Sequence, residues 1–257
     1  MQTENALGNA IVAIIPARYG ASRFPGKPLA LIDRVPMVVR VMERTRSARG
    51  ISRVLVATDD DRIAEVVRRA GGEAVMTRGD HVSGTERLAE VAVTVMAPFY
   101  LNVQGDEPLI EPAALEALVS SVADAPVDGN APGVATLATP VRNSEDAADP
   151  HVVKVVLNAA GNALYFSRAA IPHRRGSTSG EHAPPVGLKH LGVYLYSREV
   201  LLAFATLPPG HLERIEQLEQ LRLLENGYAI RVVVTPYDSV SVDVPEDVAR
   251  VEALLRT

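Results

Sequence analysis

The sequence predicts an α/β fold: a mostly parallel sheet flanked by helices, with an antiparallel insertion. Three observations point there. Short β-branched runs alternate with amphipathic stretches through the first half of the chain, the pattern of a sheet covered by helices on both faces. The first run, Ala10 to Ile15, is apolar on both faces, as a central parallel strand must be. After a Pro/Gly/Asp stretch from Asp124 to Gly133, strands follow one another without long helices between them, which favours antiparallel pairing.

Each element has its own local reason. Pro16 is expected to end the first strand. Pro36 to Arg49 repeats apolar residues at helical spacing, and Pro36 suits a first turn. Arg53 to Ala57 reads as a strand and Asp60 to Ala70 as a helix closed by Gly71-Gly72. Glu73 to Met76, a helix from about Thr85 to Met96, and a strand from Phe99 to Val103 follow. Pro112 to Ala123 is helical with Pro at its start. Val134 to Val141, Val152 to Leu157 and Lys189 to Tyr196 are strands, and Arg174 to Gly187 is a Gly/Ser/Pro/Arg loop. Glu213 to Asn226 reads as one helix capped by Gly227, Ile230 to Thr235 as a last strand, Glu246 to Leu255 as a last helix. The expected organisation is a single domain over residues 1–257, with the antiparallel insertion at about 134–196. No internal repeat is present.

Composition bounds the function. With 257 residues, 47% hydrophobic and 22% charged, the chain can bury a full core unaided. Cys is absent, which removes disulfides, thiolate metal sites and a cysteine nucleophile. A net charge of −5 without a basic face argues against nucleic acid as a partner. No apolar run approaches the roughly 20 residues of a membrane span. The polar stretch Met1 to Asn9 lacks the basic region of a signal peptide, so the expected location is the cytoplasm.

Three segments carry chemistry. The first, Ile14 to Pro28, runs from a buried strand into a loop with Gly20, Gly26, Arg18, Arg23 and Lys27. Ligands of open α/β sheets bind beyond the strands' carboxyl ends, where such a loop turns N–H groups and cations onto phosphates. It is not a Walker loop, because Pro28 follows Gly26-Lys27, nor a G-x-G-x-x-G fingerprint. A surface turn of solvated basic residues is the ordinary alternative. The second is Asn102 to Pro108, where Asp106 at a strand end can hold Mg²⁺ or simply cap a turn. The third is Val242 to Asp247, where Asp243 precedes a helix opened by Pro245; acids are also common at helix starts. Two strand-end Asp residues distant in sequence can form one metal site for phosphoryl transfer. Asp59-Asp60-Asp61 imitates a glycosyltransferase Asp-x-Asp motif, but reads mainly as N-capping acids at a strand-to-helix turn.

These segments stand in order with Thr77-Arg78-Gly79-Asp80-His81-Val82-Ser83-Gly84-Thr85-Glu86-Arg87, Tyr165 to Arg168, Lys189 to Tyr194, and Leu218 to Arg222. From about Ala10 to its C-terminus the chain therefore resembles the 3-deoxy-manno-octulosonate (Kdo) cytidylyltransferases. The resemblance implies a Rossmann-like nucleotidyltransferase sheet and the reaction CTP + Kdo → CMP-Kdo + pyrophosphate, serving lipopolysaccharide biosynthesis. It implies CTP phosphates on Arg18, Arg23 and Lys27, with Ser22 close by, and cytidine on Arg78, Ser83, Gly84 and Thr85. Mg²⁺ falls to Asp106 and Asp243; Arg18, Lys27 and the two Asp residues form the catalytic set. The sugar acid maps to Gln104, Arg168, His190, Glu216 and Gln220. The last two, four apart, are expected on one helical face. Arg168 is expected to pair its planar fork with the sugar carboxylate. A homodimer through the insertion is also implied.

The ordinary readings remain beside these: an Arg168 surface ion pair, a His190 satisfied by backbone carbonyls, a solvated Glu216. The first nine residues are extra to the family pattern, Val244 stands where Thr is usual, and His173 stands where an aromatic is common. Rival functions are activation of a related sugar acid and a nucleotide-binding regulator without turnover.

Overall fold

The computed structural model describes residues 10–20, 23–123, 133–175 and 187–256. The first strand, β1 (Ile11–Ala17), runs through Pro16 instead of stopping before it. The reason is local: the ladder to the neighbouring strand ends at Ile14 opposite Asn102, so on that side Pro16 has no N–H partner to lose. A tight hairpin of β2 (Leu31–Ile32) and β3 (Val35–Pro36) follows, turned by Asp33 and Arg34 with φ of 46° and 64°. It has no signature in the sequence pattern.

Next come α1 (Met37–Ser47), β4 (Ile51–Thr58), α2 (Asp61–Arg69), β5 (Glu73–Met76), α3 (Gly84–Thr94), β6 (Phe99–Asn102) and α4 (Pro112–Ala123). Asp60 caps α2 by accepting from the Arg62 N–H, and Ser83 caps α3 by accepting from Glu86. The second half holds β7 (Val134–Pro140), α5 (Ser144–Ala148), β8 (Lys154–Leu157), β9 (Ala163–Ser167) and β10 (Leu188–Ser197). Then follow α6 (Arg198–Phe204), α7 (His211–Glu216), α8 (Gln220–Glu225), β11 (Ile230–Val234) and α9 (Asp247–Leu254).

The main sheet has the order β11-β7-β10-β6-β1-β4-β5, with β8 and β9 continuing from β10 off this row. β1 pairs in parallel with β4 and β6, and β11 in parallel with β7. β10 is antiparallel to both β6 and β7. The alternation of β1 divides the core. Ile11, Ala13 and Ile15 face α1 and α4, whereas Val12 and Ile14 face α3 and α6. Among the described residues no helix is long and apolar enough to cross a membrane.

The antiparallel pairing expected at 134–196 is present, but β7 and β10 belong to the main sheet. Only the β8–β9 hairpin leaves its row. β7 is buried along nearly its whole length, so it needs strands on both edges and helices on both faces. The helix expected from Glu213 to Asn226 is two. Gln217 takes a left-handed conformation, φ 54°, and breaks it. Glu216 ends α7 and Gln220 begins α8, so the two do not share one helical face.

Candidate active site

A cavity of about 300 Å³ opens at the carboxyl ends of β1 and β6. One wall is the loop after β1. Gly26, at φ 73°, turns the chain back so that its N–H reaches the Tyr19 carbonyl at 2.9 Å. A Cβ there would press on the Tyr19 ring at 3.2 Å, and the Arg62 guanidinium lies on that ring at 3.4 Å from its centre. The turn ends in a 3-10 segment, Lys27–Leu29, which sends the Lys27 side chain inward.

The Lys27 ammonium donates to Asp106 Oδ2 at 2.7 Å and to the Val242 carbonyl at 3.0 Å, with Asp243 Oδ1 at 3.7 Å. Arg23 Nη2 reaches Asp243 Oδ1 at 3.1 Å. The Val242 N–H donates to the Asp106 carbonyl at 2.9 Å, so the two acidic segments are stitched together by backbone as well. Asp247 accepts from the N–H groups of Asp243 and Val244, which fixes that turn. The two carboxylates distant in sequence thus converge on one cation. Arg18 lies exposed on the cavity wall without an ion-pair partner among the described residues.

The opposite wall is the start of α3. Ser83 and Gly84 line the cavity, and a Cβ on Gly84 would stand 3.1 Å from Pro16 Cγ. Gln104 lines the floor and donates to the Gly192 carbonyl at 3.2 Å. Of the residues singled out from sequence, the cavity gathers Arg18, Arg23, Lys27, Ser83, Gly84, Gln104, Asp106 and Asp243. Ser22 lies outside the described residues.

Other residues singled out from sequence lie off the cavity lining and have protein partners of their own. Thr85 is fully buried, and its hydroxyl donates to Glu219 Oε1 at 2.5 Å, away from the cavity. Arg78 is exposed beside Asp80 and Glu90, off the cavity wall. Arg168 does not present a free fork. Its Nε donates to the Glu216 carbonyl at 2.8 Å, Nη1 to Pro150 at 3.0 Å and Nη2 to Gln217 at 3.4 Å. Its N–H and the Ser167 hydroxyl both donate to the Glu216 carboxylate, at 2.9 and 2.6 Å. Glu216 is therefore anchored to β9, not solvated. Gln220 is 4% exposed.

His190 has its Nε2 3.0 Å from Thr136 Oγ1, and its ring stands edge-on to Phe166. The Thr136 hydroxyl donates to the Val193 carbonyl, so its oxygen accepts from His190, which assigns the Nε2–H tautomer. Burial lowers the His190 pKa to about 3, leaving the ring neutral.

Sequence reasoning passed over two cavity residues. Arg87 is 3% exposed, hydrogen-bonded to Thr77, with Asp59 at 3.6 Å. His81 lies against Glu90. Their signal was their place inside the Thr77 to Arg87 motif, whose only visible local role was a helix start. Glu107 was passed over as well; burial pushes its carboxyl up to about 7.

The donor chemistry of Asp106 and Asp243 fits a hard divalent ion, since both present carboxylate oxygens at a point already occupied by positive charge. Among the described residues no third acid or His joins them. Further ligands to such an ion would have to come from substrate and water.

Residues 12–232 match the cytidylyltransferase family. The 3-deoxy-manno-octulosonate cytidylyltransferase of Syntrophotalea carbinolica is 54% identical over 251 residues, which cover 96% of this chain and 99% of that one. The protein of the same name from Geobacter metallireducens is 50% identical over 248 residues, covering 94% and 96%. The solved structure of CMP:2-keto-3-deoxy-manno-octonic acid synthetase complexed with CTP is similar at a TM-score of 0.88 and 44% identity, covering 96% of this chain and 98% of that one. With more than half its residues shared with a full-length relative, the chain belongs to the cytidylyltransferase family, among its 3-deoxy-manno-octulosonate cytidylyltransferases.

Proposed function

We propose that the chain transfers CMP from CTP to the anomeric hydroxyl of Kdo, giving CMP-Kdo and pyrophosphate. The observation that carries this reading is the convergence of Lys27, Asp106 and Asp243 at the carboxyl ends of β1 and β6, beside Arg18 and Arg23. The anomeric oxygen attacks the α-phosphorus in line, and the bond to the β-phosphate oxygen breaks. No covalent enzyme intermediate is needed. Positioning and charge neutralisation suffice. Arg18, Arg23 and Lys27 take the triphosphate charge, and Ser83 and Gly84 border the base.

Asp106 and Asp243 would hold Mg²⁺, which when bound offsets phosphate charge and lowers the pKa of the attacking hydroxyl. Nucleotide binding then moves Lys27 from the carboxylates toward phosphate oxygens, a like-for-like exchange of anionic partners. The sugar acid sits on the Gln104 side, toward His190, Glu216, Gln220 and Arg168. Its carboxylate reaches Arg168 by replacing the Gln217 carbonyl, the longest of the three bonds the guanidinium makes. A charged acceptor outcompetes a neutral one there.

The product serves lipopolysaccharide assembly, the enzyme works in the cytoplasm, and it acts as a homodimer. Exposed Leu164 on β9 and Ile215 on α7 are apolar surface that a second copy can cover. Light scattering should give about twice the 27.5 kDa of one chain, and a clean monomer refutes the dimer. Pyrophosphate release from CTP with a panel of sugar acids tests the function. Turnover with Kdo alone supports it. Turnover only with a sialic or amino-substituted acid moves it to that acid, and no turnover with any acid leaves a nucleotide-binding regulator.

A further inference from the structure

The segment between β5 and α3, residues 77–83, is neither helix nor strand, yet part of it is cavity wall: His81, Val82 and Ser83 line the cavity. Side chains of α3 reach back to hold it. Arg87 donates to the Thr77 hydroxyl at its start, and Glu86 accepts from the Val82 N–H at 3.1 Å near its end. Its middle is held by Glu90. That carboxylate accepts from the Arg78 N–H at 3.3 and 3.2 Å, and it takes the His81 ring at Nε2. The Arg78 Nε lies 3.6 Å from the same group.

A carboxylate only accepts, so Nε2 of His81 carries the proton in this pair. Burial raises the Glu90 pKa, but the His81 ring and the Arg78 N–H outweigh it and hold the carboxyl below its usual range. Glu90 is therefore an anion where the loop needs an acceptor. Glu86 and Glu90, four apart on α3, share one helical face, and each takes a main-chain N–H of the loop. His81 is nearly enclosed, with 5% of its side chain exposed, whereas Glu90 keeps 32%. An ion pair on so exposed a carboxylate contributes little to the fold by itself. What Glu90 does is fix the ring and the main chain of a cavity wall before a ligand arrives.

We propose that Glu90 is a positioning residue for the nucleotide: by holding His81 and the Arg78 N–H it presets the 77–83 loop as a wall that meets CTP. This deepens the proposed function and rests on CTP occupying the cavity. A preset wall spares binding the cost of ordering a loop. Glu90 itself does not line the cavity, so its loss weakens nucleotide binding and leaves the chemical step alone.

The experiment is calorimetric titration of CTP with steady-state kinetics, on native protein and on Glu90→Ala, Glu90→Asp, Glu90→Gln, His81→Ala and the Glu90→Ala/His81→Ala double variant. Glu90→Ala and His81→Ala should each weaken CTP roughly tenfold. In Glu90→Ala, KM for CTP should rise in step, while kcat and KM for Kdo stay within about twofold of native. Glu90→Gln, whose amide oxygen accepts from the same N–H groups, should recover most of the affinity. Glu90→Asp, one methylene short of the loop, should not. The double variant should lose less than the single losses combined. Hydrogen exchange at the loop amides should speed up in free Glu90→Ala and slow toward native with CTP bound. A merely structural role would lower melting temperature and leave the folded protein's CTP affinity native. If Glu90→Ala does not fold, Glu90→Asp against Glu90→Gln decides alone. Native CTP affinity in Glu90→Ala, or additive losses in the double variant, overturns the inference. Native protein that binds no CTP overturns the proposed function together with it.

Discussion

The ammonium of Lys27 bonds to the carboxylate of Asp106 at 2.7 Å, joining the loop after β1 to the end of β6. The same nitrogen takes the Val242 carbonyl at 3.0 Å, so one side chain connects three segments at the cavity mouth. Charge removal at either carboxylate should therefore damage catalysis more than folding. Asp106→Asn and Asp243→Asn should each lower kcat by about 10²–10³-fold, with melting temperatures close to native. Lys27→Met should do the same and raise KM for CTP. Excess chelator should abolish turnover and added Mg²⁺ restore it. Full activity in chelator, or in either Asn variant, removes the two-carboxylate metal site.

The contact of Gly84 with Pro16 gives a steric test of base reading. Gly84→Ala places a methyl 3.1 Å from Pro16 Cγ and must shift α3 or the β1 end by a few tenths of an ångström. KM for CTP should rise roughly tenfold while KM for Kdo stays put. Native enzyme should prefer CTP strongly over UTP, ATP and GTP, because a site built around one base edge leaves polar groups unpaired with another. Equal rates with ATP and CTP would sink the assignment of this wall to cytidine.

Arg168, just after β9, bonds to two carbonyls of the α7–α8 bend and to the Pro150 carbonyl ahead of β8, so its truncation has two consequences. Arg168→Ala should raise KM for Kdo by about 30-fold or more, with KM for CTP nearly unchanged. It should also lower thermal stability, since the carbonyls of Glu216 and Pro150 lose their donors. Arg168→Lys keeps charge but not the planar fork, and should recover little. Loss of CTP affinity alone would put Arg168 on the nucleotide side.

His190 makes stability depend on pH. Its pKa falls from 6.5 to about 3 on folding, so between those values the unfolded chain binds a proton that the folded chain refuses. Stability from this group is complete above pH 6.5 and is lost as pH falls toward 3, by up to about 1.4 kcal/mol per pH unit. Denaturant melts of native protein and His190→Gln across pH 4 to 7 check this. The variant should show the shallower acid slope. Parallel slopes would mean that the ring is protonated in the folded state.

The elements from β4 to α4 follow from residues near one another in sequence: apolar alternation for strands, Asp60 and Ser83 for helix starts, Pro112 for a first turn. The cationic wall of the cavity was equally legible. A buried strand followed by Arg18, Arg23 and Lys27 has a local pattern, and the carboxyl end of a sheet strand fixes where those cations go. Asp106 and Asp243 could be named separately from their strand-end contexts.

What only tertiary structure decided is which groups face which. That Asp106 and Asp243 share Lys27 depends on the Val242–Asp106 backbone bond, a contact between segments more than 130 residues apart. Thr85 and Arg168 have side chains whose ordinary chemistry suits a ligand. The approach of Glu219 and of the α7–α8 bend gives their polar atoms protein partners in the structure. The helix break at Gln217 was hidden because helical spacing of apolar residues continues through it. The anchoring of Glu216 by Ser167 of β9 and by Arg168 just after it accompanies a left-handed residue there, at a point where a one-dimensional pattern records no competing partner.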